Sequence, residues 1–300
     1  MILVFGGNGQ LGRELVRTAA AKNVPLRALA RSTLDVSDAE AVTRALRDFR
    51  PSLVVNAAAY TKVDLAETEV AAAERANGTG PLVIATACTA AGVPLVHIST
   101  DYVFDGRKDG AYVEGDAIAP LGVYARTKAE GEVAVRDTLA KHLILRTAWV
   151  YGEFGHNFLK TIVRLAQQRD ELRVVADQRG CPTSTRELAT AILRVAPRLT
   201  AEGAAWGTYH FAGTGATTWH GFAERIVAAQ ASLTGRRPRV VAITTADHPT
   251  RARRPANSTF DCSRFARVFG FSARPWTEEV DEIAVAVVEA FQRGESEHAA

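Results

Sequence analysis

Two residues four positions apart, Tyr124 and Lys128, are the most informative chemistry in the sequence. They open a predicted helix running to about Asp137, and on a helix positions i and i+4 share a face. A phenol and an ammonium on one face can serve one site. Tyrosine ordinarily titrates at about 10, too high for easy proton transfer near neutrality. A neighbouring fixed cation stabilises the phenolate, and Lys128 is expected to lower the Tyr124 pKa in this way. Thr100 and Asp101 follow one predicted strand, and Trp149 follows another. Thr100 would donate a second hydrogen bond to a substrate carbonyl oxygen. Taken alone, Y-x-x-x-K is an ordinary surface pair; its meaning depends on what surrounds it.

The surroundings begin at the N-terminus. Ile2 to Phe5 is a short apolar run suited to a strand buried on both faces. It runs into Gly6-Gly7-Asn8-Gly9-Gln10-Leu11-Gly12, then into a helical pattern placing Leu11, Leu15, Val16 and Ala19 on one face. The glycines fit G-x-G-x-x-G at 7, 9 and 12, or G-x-x-G-x-x-G at 6, 9 and 12. Between a strand and a helix, such a loop lets backbone approach a pyrophosphate, and the helix N-terminus offers free N–H groups. A second strand, Leu26 to Ala30, ends at Arg31, where a basic residue suits a ribose 2′-phosphate and an acidic one a free 2′-hydroxyl. This favours NADPH, with NADH as the alternative. Asp35 and Val36 lie just beyond, where Asp35 is either an adenine contact or a solvated loop carboxylate.

Strands and helices keep alternating. Leu53 to Val55 leads into Asn56-Ala57-Ala58-Ala59, Leu82 to Ala91 reads helical, and Leu95 to Ser99 and Leu143 to Arg146 read as strands. That rhythm predicts an α/β fold with a Rossmann-type doubly wound parallel sheet, whose ligands bind beyond the carboxyl ends of the strands. Past Gly152 the alternation weakens. Helices are expected over Phe158–Gln168, Arg186–Val195, Gly221–Leu233 and Val280–Gln292, with strands over Arg173–Ala176 and Arg239–Ile243. The organisation expected is a dinucleotide-binding domain over 1–150 and a smaller C-terminal α/β substrate lobe over 151–300, with some segments crossing back. Gly294 to Ala300 reads as a frayed polar tail.

Composition excludes other classes. The chain has 300 residues, 47% hydrophobic and 23% charged, with a formal net charge of +3. So small an excess is no signature of nucleic-acid binding. Arg251, Arg253 and Arg254 form the densest basic cluster, either a solvated face or a site for an anionic ligand. Arginine's fixed fork of donors suits a diphosphate, and Arg254 is the best single choice. Cys88, Cys181 and Cys262 are too scattered for a disulfide framework or a zinc site and read as small core residues. The histidines form no metal-spaced pair. No apolar stretch is long enough to span a membrane, and the first strand leaves no room for a leader. A cytoplasmic protein, monomer or homodimer, is expected.

Several strings narrow the reading: Asn56-Ala-Ala-Ala-Tyr-Thr-Lys-Val-Asp64, Ser99-Thr100-Asp101-Tyr-Val-Phe, Arg146-Thr-Ala-Trp-Val-Tyr-Gly152, Asn157-Phe158, Gly180-Cys-Pro-Thr183, Thr217-Thr-Trp-His220 and Arg254-Pro-x-Asn257-Ser258. With the glycine loop and Tyr124-x-x-x-Lys128, the chain resembles the dTDP-4-dehydrorhamnose reductase family of the extended short-chain dehydrogenase/reductase superfamily. The resemblance implies reduction of the 4-keto group of a dTDP-sugar, with Tyr124 as proton donor, Lys128 on the nicotinamide ribose and Thr100 in the place of the usual serine. It puts Gly6, Gly9, Gln10, Leu11 and Gly12 at the pyrophosphate and Ala57, Ala58 and Ala59 near the adenosine. Asp101, Trp149, Asn157 and Arg254 would contact the sugar nucleotide. Glu14, Glu187 and Glu289 stand where some members bridge a dimer through a metal, so a Mg2+ there is a minority expectation. Another dTDP-4-keto-6-deoxyhexose, or a non-catalytic NADP-binding subunit, are the rival readings.

Overall fold

The structure, a computed structural model, describes residues 1–294; the expected tail beyond Gly294 lies outside them. Six strands form one parallel sheet: β1 (Ile2–Phe5), β2 (Leu26–Leu29), β3 (Leu53–Asn56), β4 (Leu95–Thr100), β5 (His142–Thr147) and β6 (Gly207–His210). Their order is β6-β5-β4-β3-β1-β2. Alternate residues of each strand face opposite layers, because side chains on a strand repeat every second residue. Ile2, Val4, Leu53, Val55, Leu143 and Leu145 pack on one side against helices Gln10–Ala21 and Thr185–Leu199. Leu3, Phe5, Val54, Leu95 and Ile144 pack on the other, against helices Ala39–Phe49, Gly80–Ala91 and Val123–Thr138. Burial on both faces is why these strands read as continuous apolar runs.

β1 pairs with β2 on one side and β3 on the other, so the chain reverses direction across the sheet at β1. Ligand crevices open at such a point, beyond the strands' carboxyl ends. The loop after β1 and the loop after β3 meet there: a Cβ on Gly6, at φ +90°, would sit 2.6 Å from the Ala58 nitrogen. One sequence expectation fails nearby. Val16 is 45% exposed, and the buried face of its helix runs instead through Leu11, Gly12, Glu14, Leu15 and Ala19. The helix Thr185–Leu199 packs on that side and draws Glu14 inward.

The smaller lobe is built on the strands Glu171–Val175 and Arg239–Ile243, paired in parallel. Helices Phe158–Gln168, Trp219–Thr234 and Trp276–Gln292 pack over them around Ile162, Phe222, Ile226, Ile283 and Val287. The second half also returns to the first. β6 pairs with β5 in the main sheet, and helix Thr185–Leu199 covers the glycine-loop helix. Among the described residues, no helix is long and apolar enough to cross a membrane.

Candidate active site

β4 ends at Thr100, and a tight 3-10 turn, Asp101–Val103, follows. The Thr100 hydroxyl donates to Asp101 Oδ1 at 3.0 Å and accepts the Tyr102 backbone N–H at 3.2 Å. The helix Val123–Thr138 begins at Gly122, which offers no capping side chain. Glu67 caps it from outside, its Oε1 accepting the Val123 N–H at 2.8 Å. This fixes the first turn, where Tyr124 lies beside Thr100 and edge-on to Tyr102, ring centroids 5.6 Å apart. One turn on, Lys128 is buried and its Nζ donates to the Ile98 carbonyl at 2.7 Å.

Burial lowers the Lys128 pKa to about 8, with the Glu132 carboxylate pulling the other way. Burial raises Tyr124 to about 12, against the Thr100 hydroxyl and with help from Asp101. The expected lowering of the tyrosine by Lys128 is therefore corrected: desolvation of the phenolate outweighs any stabilisation by a lysine committed to β4. A phenol that keeps its proton suits a donor. Burial also lifts Asp101 to about 6, opposed by the Ser258 and Thr100 hydroxyls.

Asn77 is a residue the sequence reading missed. It is buried in a π-helical turn, Arg75–Thr79, just before helix Gly80–Ala91. Its Oδ1 accepts the Tyr60 N–H at 2.8 Å, and its Nδ2 donates to the Tyr60 carbonyl and to Thr127 Oγ1. One side chain thus ties the loop after β3 to the Tyr124 helix. A π turn leaves no mark in an apolar pattern, although such turns gather at functional sites.

A cavity of about 1750 Å3 runs along these elements, lined by Gly9, Gln10, Leu11, Ala57, Ala58, Ala59, Thr100, Asp101, Tyr124, Lys128, Trp149, Asn157 and Arg254 among others. A Cβ on Gly9 would meet only the Gly6 carbonyl, at 3.3 Å, so this glycine leaves its cavity side open. Gly12 is held to glycine for packing instead, since its Cβ would fall 2.2 Å from the Gly6 oxygen. The helix that follows has no capping side chain and no acid in its first turn. An open glycine, bare helix N–H groups and a buried lysine fit a dinucleotide. Arg31, Asp35 and Val36 do not line this cavity. Arg31 is exposed at the end of β2; Asp35 accepts from Ser37, which holds its carboxyl below the usual range with help from the Arg31 charge; Val36 is buried against Gly80.

The expected sugar-nucleotide residues divide. Trp149 sits at φ +47°, a conformation costly for a bulky residue and typical of functional sites. Its ring stacks on Trp219, centroids 3.6 Å apart, and Trp219 Nε1 donates to Gln178 Oε1 at 3.2 Å. Trp219 and Gln178 were not foreseen as cavity residues. Asn157 lines the cavity, its Oδ1 caps helix Phe158–Gln168 and its Nδ2 donates to Gln10 Oε1 and the Gly152 carbonyl. Both amide hydrogens have protein acceptors, and through them Asn157 joins the glycine loop to the lobe. Arg254 reaches the cavity while bound to Asp64, with Nη2 to Oδ2 at 2.7 Å.

Within one chain the three glutamates keep separate partners. Glu14 is buried and accepts from Arg17, Thr18 and Thr185; Glu187 accepts from Arg274; Glu289 is exposed, with Arg293 at 4.0 Å. Among the described residues, no three metal-binding side chains gather. Each of these carboxylates has an arginine beside it. Cys88, Cys181 and Cys262 are free, the first two buried and the third half-buried.

Residues 1–288 match the model of the RmlD substrate binding domain. The chain is 44% identical to a dTDP-4-dehydrorhamnose reductase of Burkholderia thailandensis, over 92% of this chain and 95% of that protein. Its fold is similar to that of a dTDP-4-dehydrorhamnose reductase of Clostridium acetobutylicum, with a TM-score of 0.88 and 37% identity over 96% of this chain and 99% of the other. It is also similar to the Bacillus anthracis dTDP-4-dehydrorhamnose reductase solved in complex with NADP, with a TM-score of 0.87 and 34% identity over 95% and 98% of the two chains. With the glycine loop, the Thr100–Tyr124–Lys128 cluster and near-complete coverage all in agreement, the chain belongs to the dTDP-4-dehydrorhamnose reductase family.

Proposed function

We propose that this protein reduces the C4 ketone of dTDP-4-dehydro-L-rhamnose, giving dTDP-L-rhamnose, and that it uses NADPH in preference to NADH. The observation that carries the reading is that Thr100, Tyr124 and Lys128 share one cavity with the open glycine loop. When bound, the nicotinamide supplies a hydride for the carbonyl carbon. Tyr124 supplies the proton to the carbonyl oxygen, its phenol kept neutral by burial. Thr100, turning its single hydroxyl hydrogen from Asp101 Oδ1 to the same oxygen, aligns it. Lys128, charged at neutral pH and pinned to β4, holds the nicotinamide ribose. Gly9, Gln10 and Leu11 hold the pyrophosphate, and Ala57, Ala58 and Ala59 flank the adenosine. Arg31 offers a cation to the 2′-phosphate, outside the cavity proper.

On the substrate side, Asp101 takes a sugar hydroxyl, and the Trp149–Trp219 stack gives the flat apolar wall that a sugar face packs against. Arg254 offers its remaining donor to the diphosphate. The deciding experiment is Tyr124→Phe, with turnover and NADPH affinity measured side by side. Turnover should fall at least about a hundredfold, within the range general acid–base catalysis contributes, while cofactor binding stays within a factor of about two. A variant retaining near-normal turnover of dTDP-4-dehydro-L-rhamnose would remove Tyr124 as the donor.

A further inference from the structure

Asp64 lies in the short helix Val63–Ala66 after β3, far from the lobe in sequence. Both of its oxygens are taken by the segment that crosses the cavity mouth. Oδ1 accepts the Ala252 backbone N–H at 3.0 Å and Arg254 Nη1 at 3.2 Å, and Oδ2 accepts Arg254 Nη2 at 2.7 Å. The segment itself is a strap. Thr244 to Thr250 are exposed, yet His248 and Thr250 line the cavity. One end is moored in the lobe, where Asp177 accepts from the Thr245 N–H and hydroxyl. The other is moored beyond the cavity, where Asn257 Nδ2 donates to the Lys108 and Gly110 carbonyls. Asp64 holds the middle.

We infer that Asp64 is a positioning residue for substrate binding, which holds the strap across the cavity and aims the Arg254 guanidinium at the diphosphate of a sugar nucleotide. A guanidinium has five N–H donors. Arg254 gives one Nη1 hydrogen and one Nη2 hydrogen to Asp64 and the second Nη1 hydrogen to the Ala252 carbonyl. Of the remaining Nε–H and Nη2–H, one is directed to the Tyr102 hydroxyl and one is left for an anion, and Tyr102 is the residue that meets the Tyr124 ring edge-on. The carboxylate therefore orients the fork without exhausting it. An arginine side chain otherwise loses considerable rotamer freedom on binding an anion, and a fixed fork has already lost it. Arg253 and Arg251, on the same strap, are exposed and, among the described residues, have no such partner to direct them inward.

The inference rests on the proposed role of Arg254, and the test separates the two. The dissociation constant of dTDP is measured by calorimetry for the parent protein and for Asp64→Asn, Asp64→Ala, Arg254→Ala and the double variant Asp64→Ala/Arg254→Ala. NADPH titration of each variant reports that the dinucleotide half is intact. Asp64→Asn and Asp64→Ala should weaken dTDP by about tenfold, in line with loss of a charge-assisted hydrogen bond. NADPH affinity should be unchanged, and KM for the sugar nucleotide should rise with kcat within about twofold of the parent. The double variant should bind dTDP no worse than Arg254→Ala, because Asp64 acts through Arg254. If Arg254→Ala weakens dTDP while Asp64→Asn leaves it unchanged or tightens it, the carboxylate is a bystander or a competitor and this inference fails alone. Additive losses in the double variant overturn it equally. If Arg254→Ala itself leaves dTDP affinity unchanged, the role proposed for Arg254 fails first.

Discussion

The Lys128 ammonium donates to the carbonyl oxygen of Ile98 at 2.7 Å, two residues before Thr100 on the same strand. That bond ties the Tyr124 helix to the strand that carries the Thr100 hydroxyl. It also places a buried cation whose pKa burial has brought down to about 8. The proposed mechanism requires the tyrosine to hold its proton and the lysine its charge. Raising pH through the lysine's range removes the charge while the tyrosine, at about 12, stays neutral. The kcat/KM for reduction should therefore be level at lower pH and decline above about 8. A pH–rate profile checks this; a plateau persisting well into the alkaline range would contradict it.

Arg31 is exposed at the end of β2, outside the cavity lined by Gly9, Tyr124 and Lys128. Its charge reaches Asp35, which is already engaged by Ser37. Arg31→Ala should weaken NADPH by about tenfold or more, the worth of a hydrogen bond to a charged group, and leave NADH affinity unchanged. Fluorescence titration with both cofactors measures it. Equal losses for the two would mean that Arg31 does not read the 2′-phosphate.

The Tyr124 helix is locked to the sheet by a buried ion pair. Arg146 on β5 gives Nε to Glu132 Oε1 at 2.8 Å and Nη2 to Oε2 at 2.7 Å. Both side chains are buried, so removing one leaves an uncompensated charge. Glu132→Ala should destabilise the protein by about 3–5 kcal/mol, whereas Glu132→Leu with Arg146→Met should cost far less. Chemical denaturation of the three proteins distinguishes the outcomes; similar losses in the single and double variants would disprove the explanation.

Gly180 faces the ring of Trp149, and a Cβ there would fall 2.3 Å from Trp149 Cε2. No flexible side-chain tip can yield at that point, because the ring is stacked on Trp219. Gly180→Ala should push Trp149 off the stack and raise KM for the sugar nucleotide severalfold while leaving NADPH affinity intact. Quenching and spectral position of the tryptophan fluorescence report the ring's displacement directly. Unchanged fluorescence together with unchanged KM would show that the wall is not part of the sugar site.

Much of the first half is legible in the sequence. Apolar runs, a glycine loop and a helix in succession report local sterics and backbone periodicity, which neighbouring residues largely determine. Tyr124 and Lys128 share a face because helix geometry puts them there, whatever the rest of the chain does. Tertiary structure decided what those groups experience. The Tyr124 pKa moved against the sequence expectation because burial depends on everything packed around the ring. Asn157 proved to be a joint between glycine loop and lobe, and Val16 turned outward, since distant helices chose which faces were covered. Asp64 and Arg254 are 190 residues apart, and no periodicity links them. Local spacing determines which residues can stand together on one element; only the folded chain brings separate elements close enough to desolvate a charge or supply its partner.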